Sequence, residues 1–203
     1  MAQPLSSSSL PACLSRVIDT NHGTTRGLVR AMLAQTEFVL GRLEVHTHPA
    51  GAQVGRLVFV CLGNINRSAF AEQVARKMGA TTCSIGLATT TGAPAFHKAV
   101  ATAPQFGLDL VQHRATDITD YRFQPADLLL VMEIRHARRL VAAGIPAASI
   151  ALLGHWAAPH RIHLHDPHVL SDAYFRTCFT LIHSAVGGLV DEMRASASPC
   201  LAP

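Results

Sequence analysis

Short apolar runs alternate with stretches whose apolar positions recur at every third or fourth residue, from residue 57 nearly to the C-terminus. Leu57–Val60 is a β-branched and aromatic run of strand length, while Phe70, Ala71, Val74, Ala75 and Met78 repeat at helical spacing until Gly79 closes the pattern. Read the same way, the chain predicts strands over 57–61, 82–86, 127–132 and about 149–153. Between them it predicts helices over 68–78, 94–105 and 134–143, and then a long helix beginning near Ser171. That last helix carries Tyr174, Cys178, Leu181, Ile182, Ala185 and Leu189 on one side. Alternating βα units predict an α/β fold: a four-stranded parallel sheet flanked by helices on both faces, with right-handed crossovers. Ligands in such folds sit beyond the carboxyl ends of the strands.

Residues 1–55 precede this alternation. "SSSSLP" reads as a disordered start. Leu28, Met32, Leu33, Val39, Leu40 and Leu43 then predict one amphipathic helix over Thr25–Leu43, packed on the main domain or on a second copy of the chain as a homodimer. The expected division is an N-terminal helical extension (1–55), a catalytic domain (56–195) and a flexible tail (196–203).

Composition narrows the class without naming a function. The 203 residues are 49% hydrophobic with a net charge of +4, enough for one core and too mild and scattered for a nucleic-acid footprint. The RHARR cluster at 135–139 reads as a solvated helix face. No apolar run approaches the ~20 residues that span a bilayer, and the start lacks a signal-peptide pattern. Five cysteines, at 13, 61, 83, 178 and 200, match neither a zinc frame nor a disulfide frame, and reduced thiols in a cytoplasm are expected.

The chemistry concentrates in "VFVCLGNINRSAF" (58–70), where a strand turns tightly into a helix. Backbone N–H groups at a helix start lack partners, and the helix dipole favours an anion there. Gly63 allows close approach or positive φ, and Asn64 tolerates the left-handed region. Arg67 offers a planar fork for two oxygens of a tetrahedral oxyanion. Cys61, at the strand's end, faces that anion, and the helix N–H groups, Arg67 and the Ser68 hydroxyl would stabilise its thiolate. A lone cysteine at a strand end is ordinarily a core residue. Cysteine, five residues, arginine and serine between strand and helix point instead to attack of sulfur on phosphorus.

This arrangement, with Asp166-Pro167 far downstream, resembles the low-molecular-weight protein tyrosine phosphatases. "CSIGLATTTGAPA" (83–95), "GLDLVQHRATDI" (107–118) and "ADLLLVMEIRHARRL" (126–140) are similar to later family segments. "ALLGHWAAPHRIHLHDPH" (151–168) resembles the bacterial, exopolysaccharide-associated branch. The resemblance implies that family's fold and a phosphoric monoester hydrolase of the protein-tyrosine-phosphatase type. Cys61 would be the nucleophile, Arg67 the phosphate holder and Asp166 the general acid and base. Leu62, Gly63, Asn64, Ile65, Asn66, Arg67 and Ser68 would bind phosphate, and His113 and Asp127 would brace the loop through Asn64 or Ser68. No cofactor and no metal are implied, and the histidines at 155, 160, 163, 165 and 168 are expected to face solvent. The substrate would be a tyrosine-phosphorylated protein, such as a tyrosine autokinase of polysaccharide assembly. Three positions depart from the family pattern: Asn66 replaces a second cysteine, Ala69 a proline, and His168 an aromatic that walls the phenyl ring. Two alternatives stand beside this reading. A phosphatase-like arsenate reductase needs relay cysteines that residues 131–141 lack, and a non-catalytic phosphotyrosine-binding module has no need of an intact Cys61, Arg67 and Asp166.

Overall fold

The computed structural model describes residues 12–48 and 54–197. Helices α1 (Ala12–His22), α2 (Thr25–Val39) and α3 (Glu44–Thr47) precede β1 (Arg56–Cys61) and α4 (Arg67–Lys77). β2 (Thr82–Gly86), α5 (His97–Thr102), β3 (Asp127–Val131), α6 (Ile134–Ala142), β4 (Ile150–Leu152) and α7 (Asp172–Ala197) follow. The four strands form one parallel sheet in the order β2-β1-β3-β4, so β1 is interior and ends beside Gly86 of β2.

Strand alternation divides the core in two. Leu57, Phe59 and Cys61 point toward α4 and α7, where Phe70, Phe175 and Phe179 stack. Val58 and Val60 point the other way, toward Ile85, Leu129, Val131 and Leu140 of α6. The sulfur is thereby fixed on the face from which α4 starts. The helix expected over 94–105 is shorter: α5 gives way at Ala103–Phe106 to a 3-10 turn that contains Pro104, and Gly107 (φ 67°) ends it.

The N-terminal region holds the predicted helix as α2, which starts at Thr25 as expected and ends at Val39 rather than Leu43, with α1 as an unpredicted helix before it. Gly23 (φ 74°) breaks the chain into two helices, and the Thr24 hydroxyl caps α2 by accepting from the Gly27 N–H at 2.9 Å. α2 meets the sheet domain through Gly27 and Ala34, with Phe38 beside them. Only part of the expected apolar stripe is covered: Leu43 is buried and Leu28 half-buried, while Met32, Leu33, Val39 and Leu40 are all more than half exposed. The predicted disordered start, and the tail beyond Ala197, lie outside the described residues.

Candidate active site

Residues 61–68 wrap a small bowl at the end of β1. The carbonyls of the loop turn outward. Leu87 and Ala88 N–H groups donate to Cys61 and Leu62 O (2.9 and 2.8 Å), Phe96 N–H to Ile65 O (3.0 Å), and Phe70 N–H to Asn66 O (3.0 Å). With the acceptors tied outside, the inner surface is left to N–H donors and the start of α4, the electropositive lining an oxyanion needs. The left-handed residue is Asn64 (φ 50°), not Gly63, where an added Cβ would meet nothing closer than Ile65 at 3.6 Å.

Asn64, fully buried, organises the bowl. Its amide donates to Ser68 Oγ (2.8 Å) and Ser84 Oγ (2.7 Å), its Oδ1 accepts from Thr116 N–H (2.9 Å), and its carbonyl accepts from His113 Nε2 (2.7 Å). The Ser84 hydroxyl in turn donates a hydrogen bond to Glu72 Oε2 (2.6 Å). Because Ser68 accepts from Asn64, its hydroxyl proton is free for Cys61 Sγ at 3.0 Å, and the Asn64 N–H approaches the same sulfur at 3.2 Å. Two donors on sulfur are what a nucleophilic thiolate requires. His113 thus contacts the loop through the Asn64 carbonyl, with burial holding its pKa below the ordinary value.

Asp127 does not reach the loop. It opens β3 opposite Arg56, at the end of the sheet away from Cys61, roughly 17 Å back along the strands. Its carboxylate is occupied there by Arg56 (2.8 and 3.0 Å), Tyr121 (2.8 Å) and the Gln124 N–H (2.8 Å). Ser84 and Thr116, which sequence reasoning missed, carry the bracing instead. No spacing rule links position 84 or 116 to position 64; only the strand register brings them together.

Arg67 is wholly buried. Its Nη1 donates to Glu133 Oε1 (2.7 Å) and Leu164 O (2.9 Å), while Nη2 lies 2.7 Å from Asp166 Oδ2, outside hydrogen-bonding angle. Nε and Nη2 therefore keep unbonded donors along one edge. Burial would lower the pKa of Arg67, but Asp166 and Glu133 raise it well above its usual value. For Glu133 burial acts upward, and Arg67 outweighs it, holding the carboxyl far below the usual range. Glu133 is the third residue missed: it lies inside an unremarkable MEIRH stretch, and only the turn from β3 into α6 aims it at Arg67.

Cys61, Leu62, Gly63, Ile65, Asn66, Ala88, Asp166 and His168 line one cavity of about 170 Å³. His168 tilts against Phe96 (ring centroids 4.5 Å apart) at its rim. A larger cleft of about 360 Å³ lies behind the loop, bounded by Glu72, Arg76, Asp109 and Arg114, and does not include Cys61. Among the described residues no three of His, Cys, Asp and Glu gather as metal ligands.

His163 is buried and His165 half-buried, against the expectation of solvent-facing loop histidines, because α2 covers them. Burial pushes the pKa of His136 down to about 3 and that of His163 to about 4, despite Glu133 at 3.7 and 3.8 Å. In the unfolded chain both titrate near 6.5, so below that pH the unfolded state binds more protons. Stability is expected to be level between about pH 7 and 8 and to fall by a few kcal/mol between pH 6.5 and 4. Urea unfolding across that range checks this; a level profile, or an unchanged slope after His136→Gln with His163→Gln, would contradict it.

Comparison with known proteins adds a family. Residues 56–198 match the family described as low molecular weight phosphotyrosine protein phosphatase. A Ralstonia solanacearum protein named probable low molecular weight protein-tyrosine-phosphatase EpsP is 30% identical over 142 residues, covering 68% of this chain and 96% of that one. Salmonella typhi Wzb, named a low molecular weight protein-tyrosine-phosphatase, is 32% identical over 130 residues, covering 63% of this chain and 86% of the relative. The structure of Vibrio vulnificus Wzb in complex with benzylphosphonate superposes with a TM-score of 0.60 at 27% identity, covering 68% of this chain and 99% of that one.

Proposed function

The chain belongs to the low molecular weight phosphotyrosine protein phosphatase family, and from that premise we propose that it hydrolyses phosphotyrosine in proteins through a phosphocysteine on Cys61. One observation carries the reading: Cys61 and Asp166 line the same small cavity, with Arg67 Nη2 2.7 Å from the Asp166 carboxylate. Sγ attacks phosphorus as the P–O bond to the tyrosine ring breaks, and Asp166 gives its proton to the departing oxygen. Arg67 Nε and Nη2 and the inward N–H groups hold the non-bridging oxygens, where charge develops. Water then attacks phosphorus, its proton passes to Asp166, the S–P bond breaks, and phosphate and thiolate are released.

Asp166→Asn tests the acid role. It is expected to cost about 10²–10⁴-fold in kcat on substrates with poor leaving groups and much less on activated aryl phosphates. An equal loss on both would leave Asp166 a structural residue.

The substrate we assign is a tyrosine-phosphorylated protein of exopolysaccharide assembly, a tyrosine autokinase among the candidates, acted on in the cytoplasm. The likeness of residues 151–168 to the exopolysaccharide-associated branch supports that assignment. Capture of phosphoproteins from cells of the source organism on Cys61→Ser, with phosphate as competitor, identifies it.

Asn66 gives a redox consequence. Cys83 pairs with Val58, three residues or roughly 10 Å back along the sheet from Cys61, and burial raises its pKa. Cys178 lies against the His165 carbonyl, with burial pushing its pKa up to about 12. Neither is a ready resolving thiol. Peroxide is expected to inactivate the enzyme with poor recovery on thiol treatment, bound phosphate to protect, and Asn66→Cys to improve recovery. Full recovery with Cys61 found disulfide-linked in the native protein would contradict this.

A further inference from the structure

We propose that the α1–α2 pair, which lies outside the family match at 56–198, is a positioning frame for the proton donor, acting on Asp166 through the contact of Thr24 and Gly27 with His165. The inference rests on Asp166 being that donor.

The segment leading to Asp166 is held from two sides. On the inner side the Leu164 N–H donates to Met132 O (3.0 Å) and Leu164 O accepts from Arg67 Nη1 (2.9 Å). On the outer side the support comes from the N-terminal helices. Arg161 Nη1 donates to Asn21 O, and the Phe38 ring lies 4.8 Å from that of His160. Thr24 Oγ1 is 3.4 Å from His165 Nε2. Gly27 is the closest approach: a Cβ there would sit 2.8 Å from His165 Cδ2 and would overlap the His22 carbonyl oxygen. At the elbow, a Cβ on Gly23 would stand 2.6 Å from Leu170 and 2.7 Å from Tyr174. Tyr174 in turn donates to His165 O at 3.2 Å. Two glycines and a capping threonine thus bring the backbone of the elbow flush against the residues on either side of Asp166.

Beyond Asp166 the chain is held by the Leu170 N–H on Pro167 O (2.9 Å), by Lys98 Nζ on Leu170 O (2.9 Å) and by His168 against Phe96. The His168 N–H donates to Asp166 Oδ1 at 3.2 Å, and Val169 (φ 58°) is 73% exposed. Arg67 Nη2 meets the carboxylate from the cavity side at 2.7 Å, and the packing of His165 on α2 sets the backbone from which that carboxyl reaches over the cavity. A displacement of about 1 Å in a reacting group costs on the order of 10²-fold.

Gly27→Ala and Thr24→Val wedge or unhook that contact without touching the cavity, and Thr24→Ser keeps both hydroxyl contacts. kcat/KM is measured on phenyl phosphate and on p-nitrophenyl phosphate, with inhibition by inorganic phosphate and thermal unfolding alongside, in the native and Asp166→Asn backgrounds. The frame predicts a loss of roughly 10–10²-fold on phenyl phosphate and a much smaller one on p-nitrophenyl phosphate. It also predicts unchanged phosphate inhibition, no further loss in Asp166→Asn, and near-native behaviour for Thr24→Ser. If Gly27→Ala does not fold, Thr24→Val alone decides. No loss, an equal loss on both substrates, or the same loss with Asp166 already replaced would overturn the frame and leave the helices as covering only. If Asp166→Asn itself ignores the leaving group, the acid reading fails and takes the frame with it, an outcome visible without any change at Gly27 or Thr24.

Discussion

Cys61→Ser is expected to lower turnover by roughly 10⁵–10⁶-fold, the scale on which loss of a covalent nucleophile is felt, while inorganic phosphate still binds. The two halves of that result come from different atoms. Turnover would need sulfur, because a serine hydroxyl is a far weaker nucleophile than a cysteine sulfur held by Ser68 and the Asn64 N–H. Binding needs the loop, and the loop is built from elsewhere: outward carbonyls, the Asn64 network and the buried Arg67. Steady-state rates with phosphate titration calorimetry separate them. Loss of both together would show that the sulfur holds the loop's shape.

Arg67 is the second large effect, and it couples stability to catalysis. Arg67→Lys is expected to cost roughly 10³–10⁵-fold in kcat, the range seen when a guanidinium on a transferring phosphoryl group is lost. A lysine keeps the charge but cannot reach Glu133, Leu164 O and two phosphate oxygens at once. Arg67→Met goes further. It takes from Glu133, 1% exposed, its buried partner and leaves it only Arg135 at the surface side (2.8 and 2.9 Å), and should destabilise the fold by about 1–3 kcal/mol. Adding Glu133→Gln should recover much of that stability and none of the activity. Activity returning with stability would mean that Arg67 matters only as a structural counter-ion.

The phosphate loop was legible because its logic is local: strand, cysteine, anion-binding turn and arginine lie within eight residues, and local spacing is what a sequence displays. Asp166 was legible only through family likeness, and its contact with Arg67 spans 99 positions. Glu133, Ser84 and Thr116 escaped because their roles arise from strand register and chain crossing. Asp127 was misplaced for the converse reason: a buried carboxylate at a strand start resembles a brace until the parallel sheet puts it at the far end from Cys61. In the N-terminal region apolar periodicity misled. α2 makes its close contact through glycine and alanine, which carry little hydrophobic signal, with Phe38 beside them, and turns Met32, Leu33 and Val39 outward. Helix α1, with Ile18 as its single buried residue, left almost no pattern to read.

The covalent intermediate is the centre of the account, and rapid acid quench during turnover of an aryl phosphate tests it most directly. Peptide mass spectrometry of the quenched enzyme should find a phosphoryl group on Cys61, formed in a burst with the released phenol and absent from Cys61→Ser. Sustained turnover with Cys61 unmodified throughout, or with the phosphoryl group on another residue, would contradict it.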